Sequence, residues 1–150
     1  MDSPEKRKKG IEGDAEQKEK PKTAAAVLVV YGDKVLVLKK RISARFHPLG
    51  WVLPGGRAEE DETILETAEI ELHEETGLSG HVGAVIELDV KPFFYEETNT
   101  LVNYFIAESE IINIVLSEEH TEYRWVSKEN WQELNCTPSC RYALENYFNK

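Results

Sequence analysis

The apolar positions of the chain fall in short blocks set in a charged background. Ala24 to Val30 and Val35 to Leu38 are near-continuous apolar runs, and Tyr31-Gly32-Asp33-Lys34 between them has turn composition. Together they predict a β-hairpin. Trp51-Val52-Leu53 predicts a short strand stopped by Pro54-Gly55-Gly56. From Glu62 to Thr76 the period changes. Leu65, Ala68 and Leu72 recur at i, i+3 and i+7, the stripe of an amphipathic helix, and Gly77 stands where a left-handed cap would end it. Val82 to Val90 and Thr100 to Ala107 read as longer strands linked through Glu96-Glu97-Thr98-Asn99. Ile111 to Leu116 is a further strand and Tyr123 to Val126 a short one. Ser127 is placed to cap a helix starting near Lys128, and Pro138 or Ser139 to precede a last helix through Tyr147. No block repeats and no second core is visible, so residues 21–150 read as one domain.

Length supports the same reading. The chain has 150 residues, 41% of them hydrophobic, enough for one full core. The longest apolar run, Thr23 to Tyr31, falls well short of the roughly 18 residues that span a bilayer. The N-terminus leads into charge and lacks the basic-then-apolar order of a secretory signal. Residues 1–20 carry six basic and six acidic side chains and almost nothing apolar, the composition of a disordered tail. Within it, Lys6-Arg7-Lys8-Lys9 is a solvated run or a weak anion-binding element.

The whole net charge of -10 therefore lies in residues 21–150. An acidic domain argues against a nucleic-acid or anionic-membrane partner. It leaves room for a small phosphate ligand, because a divalent cation can sit between carboxylates and phosphates. Two cysteines, Cys136 and Cys140, make no disulfide framework, so free structural thiols and a cytoplasmic, reducing setting are expected.

The densest chemistry lies between Leu53 and Leu78, with nine acidic side chains against a single Arg57. Glu71, Glu74 and Glu75 are three and four residues apart and share one face of the predicted helix. Like charges at that spacing repel, by a few tenths of a kcal/mol per exposed pair. If partly buried they also raise one another's pKa. A bound divalent cation removes both penalties, and hard oxygen ligands at this density suit Mg²⁺ or Mn²⁺. Pro54-Gly55-Gly56 is expected to turn sharply with no side chain in the way, leaving backbone carbonyls and N–H groups open to a metal and a phosphate. Metal between carboxylates and phosphates is an arrangement for phosphoryl chemistry.

This segment resembles the Nudix hydrolase (MutT-like) box, G-x5-E-x7-R-E-U-x-E-E-x-G-U with U aliphatic. Gly56, Glu62, Glu71, Leu72, Glu74, Glu75, Gly77 and Leu78 match it in register. The opening hairpin, the Trp51 to Gly56 lead-in and the stretch Glu119 to Val126 are also similar to that family, so the likeness covers about residues 23–135. It implies an α/β (α+β) fold, an α/β/α sandwich with a mixed sheet. It also implies metal-dependent attack of water on a phosphoanhydride in a nucleoside diphosphate linked to another group. Glu71 and Glu75 would be the leading metal ligands, with Glu74, directly or through water, and the Gly55 carbonyl adding oxygens. Glu71 would also help deprotonate the water; Glu96, Glu97 and Glu119 are the downstream candidates for a base or an extra ligand. A homodimer is compatible with the resemblance.

One box position departs. Ile70 stands where the family has an Arg that pairs with and orients the carboxylates. An isoleucine balances no charge, so the glutamates depend more on metal or on Arg57 or Arg45. A nucleotide-binding module with little turnover is therefore a reading from another class.

Substrate is hinted at outside the box. Tyr95 falls 17 residues after Leu78, an offset that resembles the diadenosine polyphosphate hydrolase branch, where a tyrosine stacks on a base. The alternative is strand-end packing with Phe93 and Phe94. Lys39, Lys40, Arg41 and Arg45 either meet outer phosphates, which suit bidentate Arg, or form a solvated edge. Trp51 fills core or stacks on a base. Dinucleoside tetraphosphates are the leading substrate expectation, and a nucleoside triphosphate pyrophosphatase that clears damaged nucleotides is the alternative.

Overall fold

The computed structural model describes residues 19–149. The expected tail, residues 1–20, lies almost wholly outside the described residues. The organising strand is β1 (Lys22–Tyr31). Its apolar run is continuous because both faces are covered. Ala24, Ala26, Leu28 and Val30 face one core, and Ala25, Val27 and Val29 the other. A two-residue turn with Gly32 at φ 62° leads into β2 (Lys34–Lys40), which pairs antiparallel.

The other edge of β1 is held in parallel by β7 (Thr100–Glu108) from Lys22↔Thr100 to Val30↔Glu108. The remaining strands are β3 (Trp51–Val52), β4 (Gly55–Arg57), β5 (Ile86–Glu87), β6 (Phe93–Tyr95) and β8 (His120–Val126). They give an eight-stranded mixed sheet in which β3 and β8 pair β2, and β5 and β6 pair β7. One helix packs on each face. α1 (Ile64–Thr76) lays Ala68 and Leu72 on one core, and α2 (Pro138–Phe148) lays Cys140, Ala143, Leu144 and Phe148 on the other. This is the expected α/β/α sandwich with a mixed sheet. Both cysteines are free and buried, and Trp51 is core at 4% exposure. Among the described residues no helix is long and apolar enough to cross a membrane.

Several elements differ from expectation. α1 starts at Ile64 rather than Glu62 because Thr63 caps it. Thr63 Oγ1 accepts the Glu66 N–H at 3.0 Å and Glu66 Oε1 accepts the Thr63 N–H at 2.8 Å, a reciprocal box. Its buried face is Thr67, Ala68, Leu72, Glu75 and Thr76, and Leu65 is exposed. The helix is rotated toward its polar residues because Thr67 finds a partner there, donating to Glu62 Oε1 at 2.8 Å. Gly77 caps the far end at φ 68°, as expected.

Only Ile86–Glu87 of the Val82 to Val90 strand forms. The segment touches the β7 side intermittently, through Gly83 N–H to Glu108 O and Leu88 N–H to Tyr104 O, and then curls as Val90 N–H bonds Leu88 O. Ile111 to Leu116 forms no strand. Val115 N–H instead bonds Thr76 O, and Ile111, Ile114 and Leu116 pack on the core beside the end of α1. In place of a helix from Lys128 there is a short 3-10 turn, Trp131–Glu133, because Asn130 Oδ1 takes the Ser127 N–H at 2.8 Å and closes a local turn first.

Candidate active site

Pro54-Gly55-Gly56 does not turn as expected; Gly55–Arg57 is itself the strand β4. It pairs antiparallel with Ala24–Ala26 of β1. Since β7 holds the other edge of β1, β2 and β4 share the remaining one, β2 at the far end and β4 at the near end. Where the two part, a cavity of about 290 Å³ opens, floored by Ala24–Ala26 and edged by Lys40, Gly55 and Gly56. The glycines are needed for close approach rather than for turning. A Cβ on Gly55 would lie 2.1 Å from Ala25 O, and one on Gly56 would lie 2.7 Å from Glu71 Cδ.

α1 delivers its carboxylates to this opening. Glu75 is 3% exposed and lines the cavity, and Gly55 N–H donates to its Oε1 at 3.0 Å. Burial pushes its carboxyl up from an ordinary 4.5 to about 10, against the Gly55 N–H, with the nearby Glu71 carboxylate adding to the rise. Glu71 is half-buried against Gly56 and close enough to Glu75 to share a proton. Its pKa is raised as well, first by burial, then by the charges of Glu74, Glu119 and Glu62, with the hydrogen bond to Glu75 pulling the other way. Glu74 is exposed on the next position of the helix. Glu62 faces elsewhere, accepting from Thr67 and from the Glu59 N–H, and so ties the loop before α1 to the helix.

Of the three downstream glutamates, Glu119 lies with this group. A carboxylate oxygen of Glu75, one of Glu119 and a ring nitrogen of His120 are all within 4.8 Å of one another. Glu96 is exposed in the β6–β7 turn, and Glu97 lines a neighbouring cavity of about 240 Å³. That second cavity shares Ala24, Lys40, Val52, Gly56, Val102 and Ser139 with the first, and Phe46, His47, Arg57 and Tyr95 are among those it adds. Tyr95 is fixed by its hydroxyl, which accepts the Ser139 N–H at 2.9 Å and donates to Ser139 Oγ at 3.0 Å. His47, at φ 50°, faces it with ring centroids 5.9 Å apart.

The basic residues divide. Lys40 lines both cavities, donates to Phe46 O, and has its pKa lowered by burial. Arg41 donates to Glu118 O and so holds the segment that carries Glu119. Arg45 lies over the Phe46 ring at 5.9 Å, and Arg57 borders the second cavity. Ile70 is 39% exposed, and among the described residues no cation pairs with Glu71, Glu74 or Glu75.

Lys40 was one of four basic residues expected near outer phosphates, and His120 was given no role from the sequence. The signal for His120 was its place beside Glu119. The strand expected from Tyr123 begins at His120 and pairs it with Lys40 across β2.

The match to the NUDIX domain family model runs over residues 20–144. The chain belongs to the Nudix family. Among related proteins, the mouse (Mus musculus) bis(5'-nucleosyl)-tetraphosphatase [asymmetrical] is 34% identical over 84 residues, which are 53% of this chain and 56% of that one. The chain thus matches a little over half the length of this relative. Its Nudix fold is similar to that of the MutT protein from Methanosarcina mazei Go1, with TM-score 0.69, 26% identity and coverage of 89% of this chain and 96% of that one. It is also similar in fold to a C. elegans Ap4A hydrolase, with TM-score 0.67, 22% identity, and 83% and 94% covered.

The carboxylates fit a divalent cation. A glutamate as deeply buried as Glu75, with Glu71 and Glu119 beside it, cannot hold all three charges without a proton or a metal. The donor set is hard oxygen, the preference of Mg²⁺ and Mn²⁺.

Proposed function

We propose that this chain is a Mg²⁺- or Mn²⁺-dependent hydrolase that cleaves a phosphoanhydride in a nucleoside diphosphate linked to another moiety. Its leading substrate is a dinucleoside polyphosphate of the diadenosine tetraphosphate type. The observation that carries this is the junction of two cavities, one bearing Glu75 and Glu119, the other walled by Tyr95, His47 and Phe46, with Lys40 common to both. A nucleotide laid across it puts phosphates at the carboxylates and a base among the rings. The similarity to the mouse tetraphosphatase supports the same substrate class.

Glu71, Glu75 and Glu119 would hold the cation, with Glu74 and the Gly55 carbonyl as further oxygens. When bound, it neutralises phosphate charge and lowers the pKa of a water. The chain's own groups do the rest. Gly55 N–H orients the Glu75 carboxylate. Lys40, already short of water, offers its ammonium to the polyphosphate between the two cavities. Arg57, which borders the second cavity, would meet outer phosphates, and Arg45, over the Phe46 ring, would be a further candidate. Glu119, exposed beside the buried ligands, would accept the proton of the attacking water where it does not itself hold the cation. Tyr95, held by Ser139, supplies a rigid face for the base. The small-molecule partner, a cytoplasmic location suited to two free thiols, and a homodimer complete the reading.

A second reading rests on Ile70. With no guanidinium on the carboxylates, the chain would bind nucleotide and turn it over slowly.

Product analysis with Mg²⁺ tests both. The substrates are diadenosine tetraphosphate, ATP, an oxidised dGTP, ADP-ribose and NADH, with Glu75→Gln as control. Cleavage of diadenosine tetraphosphate that collapses in Glu75→Gln supports the first reading. Preference for a triphosphate favours the pyrophosphatase alternative. Tight nucleotide binding with no metal-dependent cleavage favours the second reading.

A further inference from the structure

His120 opens β8, at the point where that strand passes Lys40 of β2 and the register shifts. It is 9% exposed and lines the same cavity as Glu75 and Glu119. Its Nδ1 is buried with no hydrogen-bond partner. A buried polar nitrogen left unpaired is costly, so such groups are rare and call for a partner. The groups that share its cavity are the Glu75 and Glu119 carboxyls, neither of which hydrogen-bonds Nδ1, and the Lys40 ammonium, which is turned to Phe46 O. A ring nitrogen of His120 lies within 4.8 Å of a carboxylate oxygen of Glu75 and one of Glu119, a donor set that suits a cation accepting both nitrogen and oxygen.

We propose that His120 is a nitrogen ligand in a mixed Glu75–Glu119–His120 metal position that takes a borderline divalent ion, Mn²⁺ or Zn²⁺, in preference to Mg²⁺. The proposal rests on the metal-dependent reading above and deepens it by naming which metals the site distinguishes. Mg²⁺ seeks a near-octahedral oxygen shell and gives up its waters reluctantly, so an imidazole adds little to its binding. Mn²⁺, and more strongly Zn²⁺, gain from nitrogen. Glu75 would then serve both this position and the all-oxygen group on α1 with Glu71.

Pulsed EPR of the full chain loaded with Mn²⁺ reads ligation without any assay of turnover. A ¹⁴N coupling of directly bound imidazole is expected in the wild-type protein and absent in His120→Asn. In calorimetric titration, His120→Asn is expected to lower Zn²⁺ affinity at least roughly tenfold while Mg²⁺ affinity changes less than about twofold. Thermal melting of His120→Asn and His120→Gln checks that both fold. Should either variant unfold, the wild-type EPR spectrum decides alone.

Mn²⁺ bound with no ¹⁴N coupling overturns the proposal and leaves metal-dependent hydrolysis standing. Equal loss of Mg²⁺ and Zn²⁺ affinity in a folded His120→Asn also overturns it, since that marks a cavity wall rather than a ligand. No binding of any divalent ion removes this proposal and the proposed function together.

Discussion

Gly55 N–H donates to Glu75 Oε1 at 3.0 Å, so a strand paired to β1 fixes a carboxylate on α1 twenty residues later. The adjacent glycine does a different job. Gly56 leaves room for the Glu71 carboxyl, which a Cβ would meet at 2.7 Å.

These roles predict unlike outcomes for two neighbouring alanine substitutions. Gly55→Ala drives a methyl group into the Ala25 backbone, which cannot yield, and a loss of roughly 3 kcal/mol in urea unfolding is expected. Gly56→Ala meets the end of a flexible side chain, so the fold is kept within about 1 kcal/mol while Glu71 is displaced. Metal affinity, read by calorimetry, should fall at least roughly tenfold in the folded Gly56→Ala protein. Equal instability in the two variants would contradict this division.

Glu75 sets the pH response of the metal-free protein. Its carboxyl titrates near 4.5 when unfolded and is pushed to about 10 in the fold. Above the lower value the unfolded chain has released a proton that the folded chain still holds. Stability from this group is therefore full below about pH 4.5 and drains away as pH rises toward 10. Melting in a chelator should show Tm falling between pH 6 and 9 by at least about 3 °C, and Glu75→Gln should flatten the slope. Mg²⁺, which replaces the proton, should restore more Tm at pH 9 than at pH 6.

Ile70→Arg is accommodated on the surface, since Ile70 is 39% exposed, and stability should change by less than about 0.5 kcal/mol. A guanidinium there can pair with the helix carboxylates and hold them for metal. A gain of a few-fold in kcat/KM on diadenosine tetraphosphate is expected. A rise of several orders of magnitude from a near-silent parent would mean that the natural chain is a binding module, and an unchanged healthy rate would mean that the residue is irrelevant.

Tyr95 separates stacking from packing. Tyr95→Phe loses both hydrogen bonds to Ser139 and should cost about 1 kcal/mol of stability while KM stays within about threefold. Tyr95→Leu removes the ring face and should raise KM for a dinucleotide roughly tenfold or more with kcat little changed. A kcat effect without a KM effect would place Tyr95 in the framework of the fold alone.

The elements with strong local rules were legible in the sequence. The hairpin, the Gly77 cap, β7 and the last helix follow from runs, turn residues and punctuation. What failed depended on partners distant in the chain. Leu65 fits a helical stripe, yet Thr67 is buried in its place because Glu62 satisfies its hydroxyl. Ile111 to Leu116 is an apolar run of strand length, but Thr76 O claims the Val115 N–H. The box glutamates were visible as spacing, and the meeting of Glu75 with Glu119 and His120 was not, because 44 residues separate them and only the β2–β8 pairing closes that distance.

The shared edge of β1 has a consequence for how the protein can change. Its cavity is a place where two neighbours of one strand part, floored by three alanines. Ala24 and Ala26 point toward one core and Ala25 toward the other, so their sizes set the depth of the opening while the carboxylates hang from a different element. Enlarging Ala24 or Ala26 makes the opening shallower from the face opposite α1, so the helix that carries the carboxylates stays in place. The depth of the cavity and the position of the carboxylates are thus carried by separable parts of the chain, and one can drift under selection while the other is retained.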